Sequence, residues 1–544
     1  MPVEAVERRG CWGWRATTAA LLLALFGSGP ATAAPDPVEV VEAVRRSVEQ
    51  LRSTGEVTVA GRKLRSVHSL PALYEARGFT LLWRDRMSEE ALLGEIAAIS
   101  GEGLDPADYH FDALRAALDR RRQQPDSAAA AVTADLLLTD ALLRVAAHFH
   151  QGKVDPTTGN PRWDLAGPVR GESGAALAAR IAAGGAVGLQ LAELRPVQPM
   201  YGRLKSALAR YRLIEQQGGW APLASGRVLQ AGIEDPRVPA LRRRLAATGD
   251  FTGIVVDSPR FDGALEEAVR RFQARHGLEP DGIFGPASLR ALNVPLRARQ
   301  EQLKANLERA RWLLTDVRGR FLLADPAGSR VVLMDNSEPI LELPAEFSPA
   351  ARASPVFRAD LRYLVVNPDW VLSPRLVEAQ VAPLARRAPG ELKARGLQVF
   401  NAAGEALDAA AADWSAPGGL IVRQLPGERS FLGTLRIPMH NEAGVFMHGA
   451  PARGEALAGS VRLEDAARLA RALAGPPAAW TAEDLAAALA SGTPRTLPLG
   501  ATLPVLYGPW TAWVQADGTV SFRAGYEARD AAVIAALERG VGRQ

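Results

Sequence analysis

Residues 444–463 read GVFMHGAPARGEALAGSVRL. His448 closes an apolar run, and twelve residues later comes the turn Gly459-Ser460-Val461-Arg462. A strand that carries a base, followed by a glycine turn exposing a small nucleophile, is the layout of acyl transfer. Ser460 and His448 are the candidate nucleophile and base, framed by Gly459 and Arg462. A serine hydroxyl is not ionised at neutral pH. It needs a base to take its proton during attack, and a third group to hold the imidazole.

The neighbourhood of that stretch reads as strands. Arg320–Leu323, Arg330–Met334, Pro339–Leu343, Tyr363–Val366, Leu420–Val422, Thr434–Pro438 and Val445–His448 alternate or run apolar between turn residues. NPDWVLSP (367–374) is a Pro-punctuated loop, and a helical insert over about Arg375–Arg395 interrupts the strands. A helix is expected at Glu464–Leu473, after the nucleophile turn. The tail, Trp480 to Gly540, contains WTAWVQADGTVSFR (510–523), a strand pair about an Asp517-Gly518 turn, then a short helix.

Upstream the character is helical. Residues 36–220 are Ala/Leu/Arg-rich, and ADLLLTDALLRVAAHF (134–149) follows the helical period. Breaks fall at Gly103–Pro106 and Gly152–Pro161. Between Gly226 and Val294 come two amphipathic helices, Leu241–Leu245 and Ala264–His276, then the turn GLEPDGIFGP (277–286) and a last helix to Asn293. A linking helix, Gln302–Leu314, joins this unit to the strands.

Taken in this order, the stretches resemble the large periplasmic L,D-transpeptidases, cysteine enzymes that cross-link peptidoglycan. LPALYEARGFTLLW (70–83), GLDPADY (103–109) and LLLTDALLRVAAHFHQGKVDP (136–156) look like that family's scaffold domain. FQARHGL (272–278) followed by DGIFGP (281–286) resembles the small three-helix peptidoglycan-binding domain. The resemblance implies a reaction in which a cysteine thiolate attacks the amide between the third and fourth residues of a donor stem peptide. D-Ala leaves, and an amine from a neighbouring stem resolves the thioester. By position His448 matches the general base, Gly459 the turn glycine, Ser460 the cysteine and Arg462 the motif arginine. Gly433 matches a glycine upstream, Asn441 an asparagine shortly before the histidine, and Asn367 with Trp370 the cap entrance, the last three implied to face substrate. Asp281 and Gly282 are the implied contacts to glycan, whereas Phe272 and Leu289 read as core.

The chain departs from the family pattern at four places. Serine replaces the cysteine at 460, and Ala458 stands where Ser or His is usual. Gly449-Ala450-Pro451 follows the histidine in place of Asp-Thr-Pro, and the loop to Ser460 is several residues shorter. A thiol beside a histidine can be largely ionised near neutral pH and is a strong nucleophile. A site tuned for a thiolate has no reason to serve a hydroxyl.

Other classes are excluded by composition and motif. With 544 residues the chain should hold about three or four domains, and 47% hydrophobic with 23% charged residues is ordinary for a globular protein. The net charge of +4 comes without a basic stripe interleaved with aromatics, so nucleic acid is not an expected partner. Arg8, Arg9 and Arg15 precede an apolar core, Ala16–Phe26, and a small-residue site around Ala31–Ala34, the pattern of a secretory leader. The core is too short for a stable anchor. Cleavage would remove Cys11, the sole cysteine, leaving no disulfide or thiolate metal site. No Ser-x-x-Lys or Gly-x-Ser-x-Gly motif occurs. His148 and His150 lie two apart on a helix and face different sides, so neither a metal nor another cofactor is expected.

The expectation is a periplasmic, multidomain α+β protein. Its parts are a signal peptide (1–34), a helical scaffold (35–222), a three-helix peptidoglycan-binding domain (223–297) and a linker helix (298–316). A mostly β L,D-transpeptidase-type domain (317–478, helical cap about 370–397) and a C-terminal extension (479–544) complete it. Its expected partners are peptidoglycan stem peptides and glycan, and other cell-wall enzymes. The expected function is that of an impaired transpeptidase. The alternatives are an active serine transpeptidase, or a binding protein that positions or regulates active relatives.

Overall fold

The apolar run near residues 134–149 becomes a helix, Ala128–Gln151, whose middle is buried on every side. Ser127 starts it by accepting a hydrogen bond from the Ala130 amide. Its two buried acids bind loops rather than solvent. Asp135 accepts from the amides of Leu82 and Trp83 and from the Tyr74 hydroxyl. Asp140 accepts from the amides of Arg65 and Ser66. The helices Pro37–Thr54 and Phe111–Gln123 pack against it to complete the scaffold core. The structure is a computed structural model that describes residues 34–162, 172–183, 186–336, 338–427, 430–449 and 459–540. The charged and apolar parts of the expected leader, and the departures at Ala450, Pro451 and Ala458, lie outside those residues.

Three helices, Val238–Ala247, Gly263–Arg275 and Pro286–Leu292, form the small unit around Leu241, Leu245, Phe261, Val269 and Phe272. The linking helix is longer than expected, Leu296–Leu314, and is buried rather than a spacer. Glu308 and Arg311 on it are fully buried and paired. Glu308 also accepts from the Val154 amide at 2.6 Å, and Arg311 donates to the Glu102 carbonyl and the Tyr201 hydroxyl. Arg309 pairs with Asp530 and Asn306 donates to Thr511, which fastens the C-terminal segment to the same helix.

Eight strands close a barrel: β1 Phe321–Asp325, β2 Arg330–Asp335, β3 Glu338–Phe347, β4 Phe357–Val366, β5 Leu435–Ile437, β6 Phe446–His448, β7 Ser460–Leu463 and β8 Arg495–Tyr507. Their order around the wall is β5-β6-β7-β3-β2-β1-β8-β4, with β4 returning to β5. The pairs β6–β7 and β1–β8 are parallel and the others antiparallel. β8 was expected to lie in the C-terminal extension. It sits between β1 and β4 instead, so residues beyond 478 complete the wall. The Asp517-Gly518 hairpin and the helix Glu527–Glu538 then follow as read from sequence.

The cap is a single excursion from the barrel. Asn367 takes a left-handed φ of +44° directly after β4, and the chain re-enters at Leu435, which pairs with Val366. Between them, short helices from Pro374 to Ala394 pack on a small sheet ordered Trp370–Val371, Ile421–Gln424, Leu397–Phe400, Ala406–Leu407. Leu372, Val377, Leu392, Val399, Trp414 and Val422 give it a separate core. The strand near Leu420–Val422 therefore belongs to the cap, not to the barrel. Among the described residues, the strands it pairs with are cap strands.

Truncating Glu308 to Ala leaves Arg311 as a buried charge without its carboxylate, a loss of about 3–5 kcal/mol. Calorimetry on Glu308→Ala should show the main transition falling on the order of 5–10 °C. An unchanged transition would mean that the scaffold and barrel do not depend on this helix.

Candidate active site

Alternation along the strands decides which side chains face the site. Met447, Val461 and Leu463 fill the barrel interior, so Phe446, His448, Ser460 and Arg462 point outward together. Ser460 is opposite Phe446 in the parallel ladder, and His448 is opposite Arg462. The His448 backbone is thus on the nucleophile's face, two residues or about 7 Å further along the strand direction. Ser460 and His448 are both nearly inaccessible, at 2% and 3% exposure.

Two glycines hold this layout. Gly459 has a φ of +78°, and a Cβ there would meet the Gly444 carbonyl at 2.6 Å. Any side chain would push β7 off the loop that leads into β6. A Cβ on Gly449 would lie 2.6 Å from the Cβ of Ala466. The glycine after His448, a departure from the family pattern, therefore goes with a close approach of the following helix, Ala466–Leu473.

A row of charge crosses four strands on this face. Arg436 on β5 is opposite His448, which is opposite Arg462, which is opposite Glu346 on β3. Arg462 donates to Glu346 from Nε at 3.0 Å and also from Nη2. Burial and then the Arg462 guanidinium push the His448 pKa down to about 4, with Glu346 opposing them in part. His448 is neutral at pH 7, yet a weak base. Its conjugate acid is roughly 3 kcal/mol less able to hold a proton than ordinary imidazole.

The other expected substrate contacts are occupied by the protein itself. Asn441 gives its amide hydrogens to the carbonyls of Met439 and Val445 and accepts from the Val445 amide. It braces the loop into β6. Asn367 donates to the carbonyls of Ala488 and Leu489, closing the end of the helix Ala482–Ala490. Trp370 lies in the cap sheet, edge-on to Phe431. In the three-helix unit Asp281 accepts from Gln273 and from the Ile283 amide. Gly282, at a φ of +79°, donates its amide to Gln273. These positions organise backbone before they can meet any ligand.

Sequence reasoning missed Gln273, Glu346 and Arg436. Gln273 is 3% exposed and ties the DGIFGP turn together. Its signal was its place beside Phe272 on a helix that otherwise alternates apolar and solvated faces. Arg436 was legible as the outward residue between two inward ones, Leu435 and Ile437.

His148 is held inside the scaffold, with Nδ1 2.6 Å from the Tyr109 hydroxyl and Nε2 2.5 Å from the Arg162 carbonyl. Among the described residues, no group of three His, Cys, Asp or Glu could hold a metal ion. A separate cavity of about 540 Å³ opens between Pro286–Leu292, the linking helix and the tail, with His276, Arg299, Phe522 and Asp530 in its walls. It shares no residue with the Ser460 face.

Comparison with known families finds the "Scaffold domain" family over residues 68–208 and the "Putative peptidoglycan binding domain" family over residues 234–292. A curated protein of Haemophilus influenzae named "Putative L,D-transpeptidase" is 29% identical over 181 residues, 31% of this chain and 37% of that protein's length. The chain thus matches little more than a third of that relative. The crystal structure of an L,D-transpeptidase from Xylanimonas cellulosilytica is 15% identical and aligns over 52% of this chain and 99% of its own, with a TM-score of 0.16. One from Stackebrandtia nassauensis is 14% identical over 46% and 90%, with a TM-score of 0.20. Superpositions this loose carry no argument about the fold.

Replacing Arg462 by Gln removes the cation that adds to burial in lowering the His448 pKa and frees Glu346 to act on it. The His448 pKa should then rise above about 4 yet stay below 6.5, because burial persists, read by side-chain ¹H–¹⁵N NMR. The linkage has one sign. The folded state resists protonation, so this histidine's contribution to stability is complete above pH 6.5 and is lost as pH falls toward 4.

Proposed function

For a chain that belongs with the L,D-transpeptidases, we propose a periplasmic, peptidoglycan-binding protein whose acyl-transfer step is impaired. The observation that carries this reading is a serine at position 460 near a base of lowered basicity, His448, two residues along the parallel ladder. In the family reaction a sulfur–acyl bond forms as the amide C–N bond breaks, and the departing D-Ala amine takes a proton. A thiolate arrives at that step already ionised. A serine must lose its proton to His448 as the bond forms, and the imidazole's low basicity makes that transfer harder.

The field around Ser460 supports the same conclusion. Arg462, balanced by Glu346, lies two residues from the nucleophile and Arg436 beside the histidine, so the net positive charge of the row would favour a negative charge at position 460. A thiolate would use that field in the ground state. A neutral hydroxyl does not. Gly459 and the strand register are retained, which supports a site still shaped to receive an extended peptide.

The domain order supports a role at the cell wall. The three-helix unit would hold glycan, and the barrel face would hold a stem peptide beside it. The leader expected over residues 1–34 would carry the chain to the periplasm. Retention of a stem peptide without turnover suits a protein that positions or restrains catalytically competent relatives.

Intact mass spectrometry after incubation with a tetrapeptide muropeptide or a carbapenem tests this reading. Wild type should remain unmodified, and Ser460→Cys should gain one acyl adduct that His448→Ala in the same background diminishes. An adduct on wild-type Ser460 that disappears with His448→Ala would establish a serine acyl-enzyme and refute the proposal.

A further inference from the structure

The cavity of about 540 Å³ between Pro286–Leu292, the linking helix and the helix Glu527–Glu538 has an uneven charge on its wall. Arg290, Arg299 and Arg523 all line it, and among the described residues none of them forms an ion pair. The carboxylates on the wall are placed differently. Glu301 is paired with Arg297, and Asp530 with Arg309. Glu527 is exposed at the start of its helix and accepts from the Gly525 amide. Three unpaired cations therefore share the wall with one unpaired carboxylate. Burial, then Arg275, Arg299 and Arg244, hold the His276 pKa well below its usual value. Its ring adds no charge and stacks on Phe522.

Most of the remaining wall is apolar, with Leu278, Ala291, Val294, Ala298, Phe522 and Ile534. The neutral polar side chains among the lining residues are already committed. Gln302 accepts from Arg299 and donates to the Arg523 carbonyl, and Nδ1 of His276 is 2.7 Å from the Phe272 carbonyl. A sugar entering here would lose water from its hydroxyls with few partners to replace it. A hydrocarbon chain gains by leaving water.

We propose that this cavity binds an aliphatic anion, its hydrocarbon chain against the apolar wall and its carboxylate or phosphate head among the three arginines. The site shares no residue with the Ser460 face and does not depend on how that face is read. Guanidinium forks match either head in geometry as well as charge. Arg290 is exposed and Arg523 half-buried, so a head group can reach both without breaking an ion pair. Arg299, 6% exposed, is held in the wall by Gln302 and the Ala291 carbonyl, with its guanidinium carbon 4.4 Å from the Phe522 ring centroid. Burial pushes its pKa down to about 10, Arg275 adds to that, and Tyr211 and Glu527 oppose it. An anion beside these groups offsets the cost of burying unpaired cations, in a setting where water screens weakly.

Isothermal titration calorimetry on the full chain tests the proposal with octanoate, octyl phosphate, hexanoate and octanol. Wild type should bind the better of the two eight-carbon anions about tenfold or more tighter than octanol. Octanoate should bind on the order of tenfold tighter than hexanoate, because two more methylenes are buried. Arg290→Gln combined with Arg523→Gln should erase the preference over octanol. Ala298→Trp, which fills the cavity, should abolish binding of every probe. Tighter octanoate would identify a free fatty acid as the source of the ligand, and tighter octyl phosphate a lipid phosphate. Either ordering supports the shared chemistry.

Absence of binding, equal affinity for octanol and both anions, or equal affinity for hexanoate and octanoate would overturn the proposal. So would an unaltered preference in the double arginine variant, or unaltered binding by Ala298→Trp. Should the double variant not fold, Arg290→Gln alone decides, since that residue is exposed. A preference cut severalfold supports the site, and a wild-type preference refutes it. Should Ala298→Trp not fold, Ala291→Leu on the helix Pro286–Leu292 takes its place, with weakened binding expected and unchanged binding a refutation.

Discussion

The arrangement of the domains depends on one buried ion pair. Glu308 and Arg311 stand one turn apart on the helix Leu296–Leu314 with no exposure to solvent. A buried pair is weak evidence of stability, because desolvating two ions costs about as much as their attraction returns. What the pair supplies is direction. Glu308 has one oxygen on Arg311 and the other on the Val154 amide, and Arg311 reaches the Glu102 carbonyl and Tyr201. Each of those partners belongs to the scaffold, so the helix can dock in one rotational setting only. The next residues, Leu313 and Leu314, pack into the core that contains Phe321 and Leu323 of β1. The barrel thus takes its orientation from the scaffold through this helix together with Pro199–Gln216, which packs into the same core.

The barrel in turn constrains the site by alternation. Closure requires Met447 and Val461 inside, and the period of two then forces His448 and Ser460 onto the outer face. A one-residue slip between β6 and β7 would bury Ser460 in the interior. Gly459 guards against it, because its close approach to the Gly444 carbonyl admits no side chain and so pins the start of β7. The nucleophile position is therefore a consequence of packing as much as of chemistry. It would persist after the chemistry was lost.

Much of the fold was legible because local periodicity and tertiary burial agree. The helix through residues 134–149 and the FQARHGL–DGIFGP unit are fixed by apolar spacing and turn glycines, and both appear where the spacing puts them. Barrel closure was not legible. β8 pairs with β1 across about 180 residues, and nothing local distinguishes it from an edge strand of a separate tail. The linking helix misled for a related reason. Asn306, Glu308, Arg309 and Arg311 read as a solvated face, yet all are buried, because their partners come from distant segments. The site followed the same rule. His448, Gly459, Ser460 and Arg462 could be named from their spacing, whereas Asn441 and Asn367 bind backbone that spacing does not reveal.

Loss of the cysteine changes the electrostatic meaning of everything around it. Arg436 and a neutral histidine stand beside Arg462, whose charge Glu346 balances, so the row carries a net positive charge. With a thiolate at position 460 an anion would be built in, and a bound peptide would have to share the field with it. With Ser460 the field is not spent on the protein, so it acts on the ligand in full. On the proposed reading, the serine that would weaken acyl transfer leaves the field of Arg436 to act on whatever occupies this face.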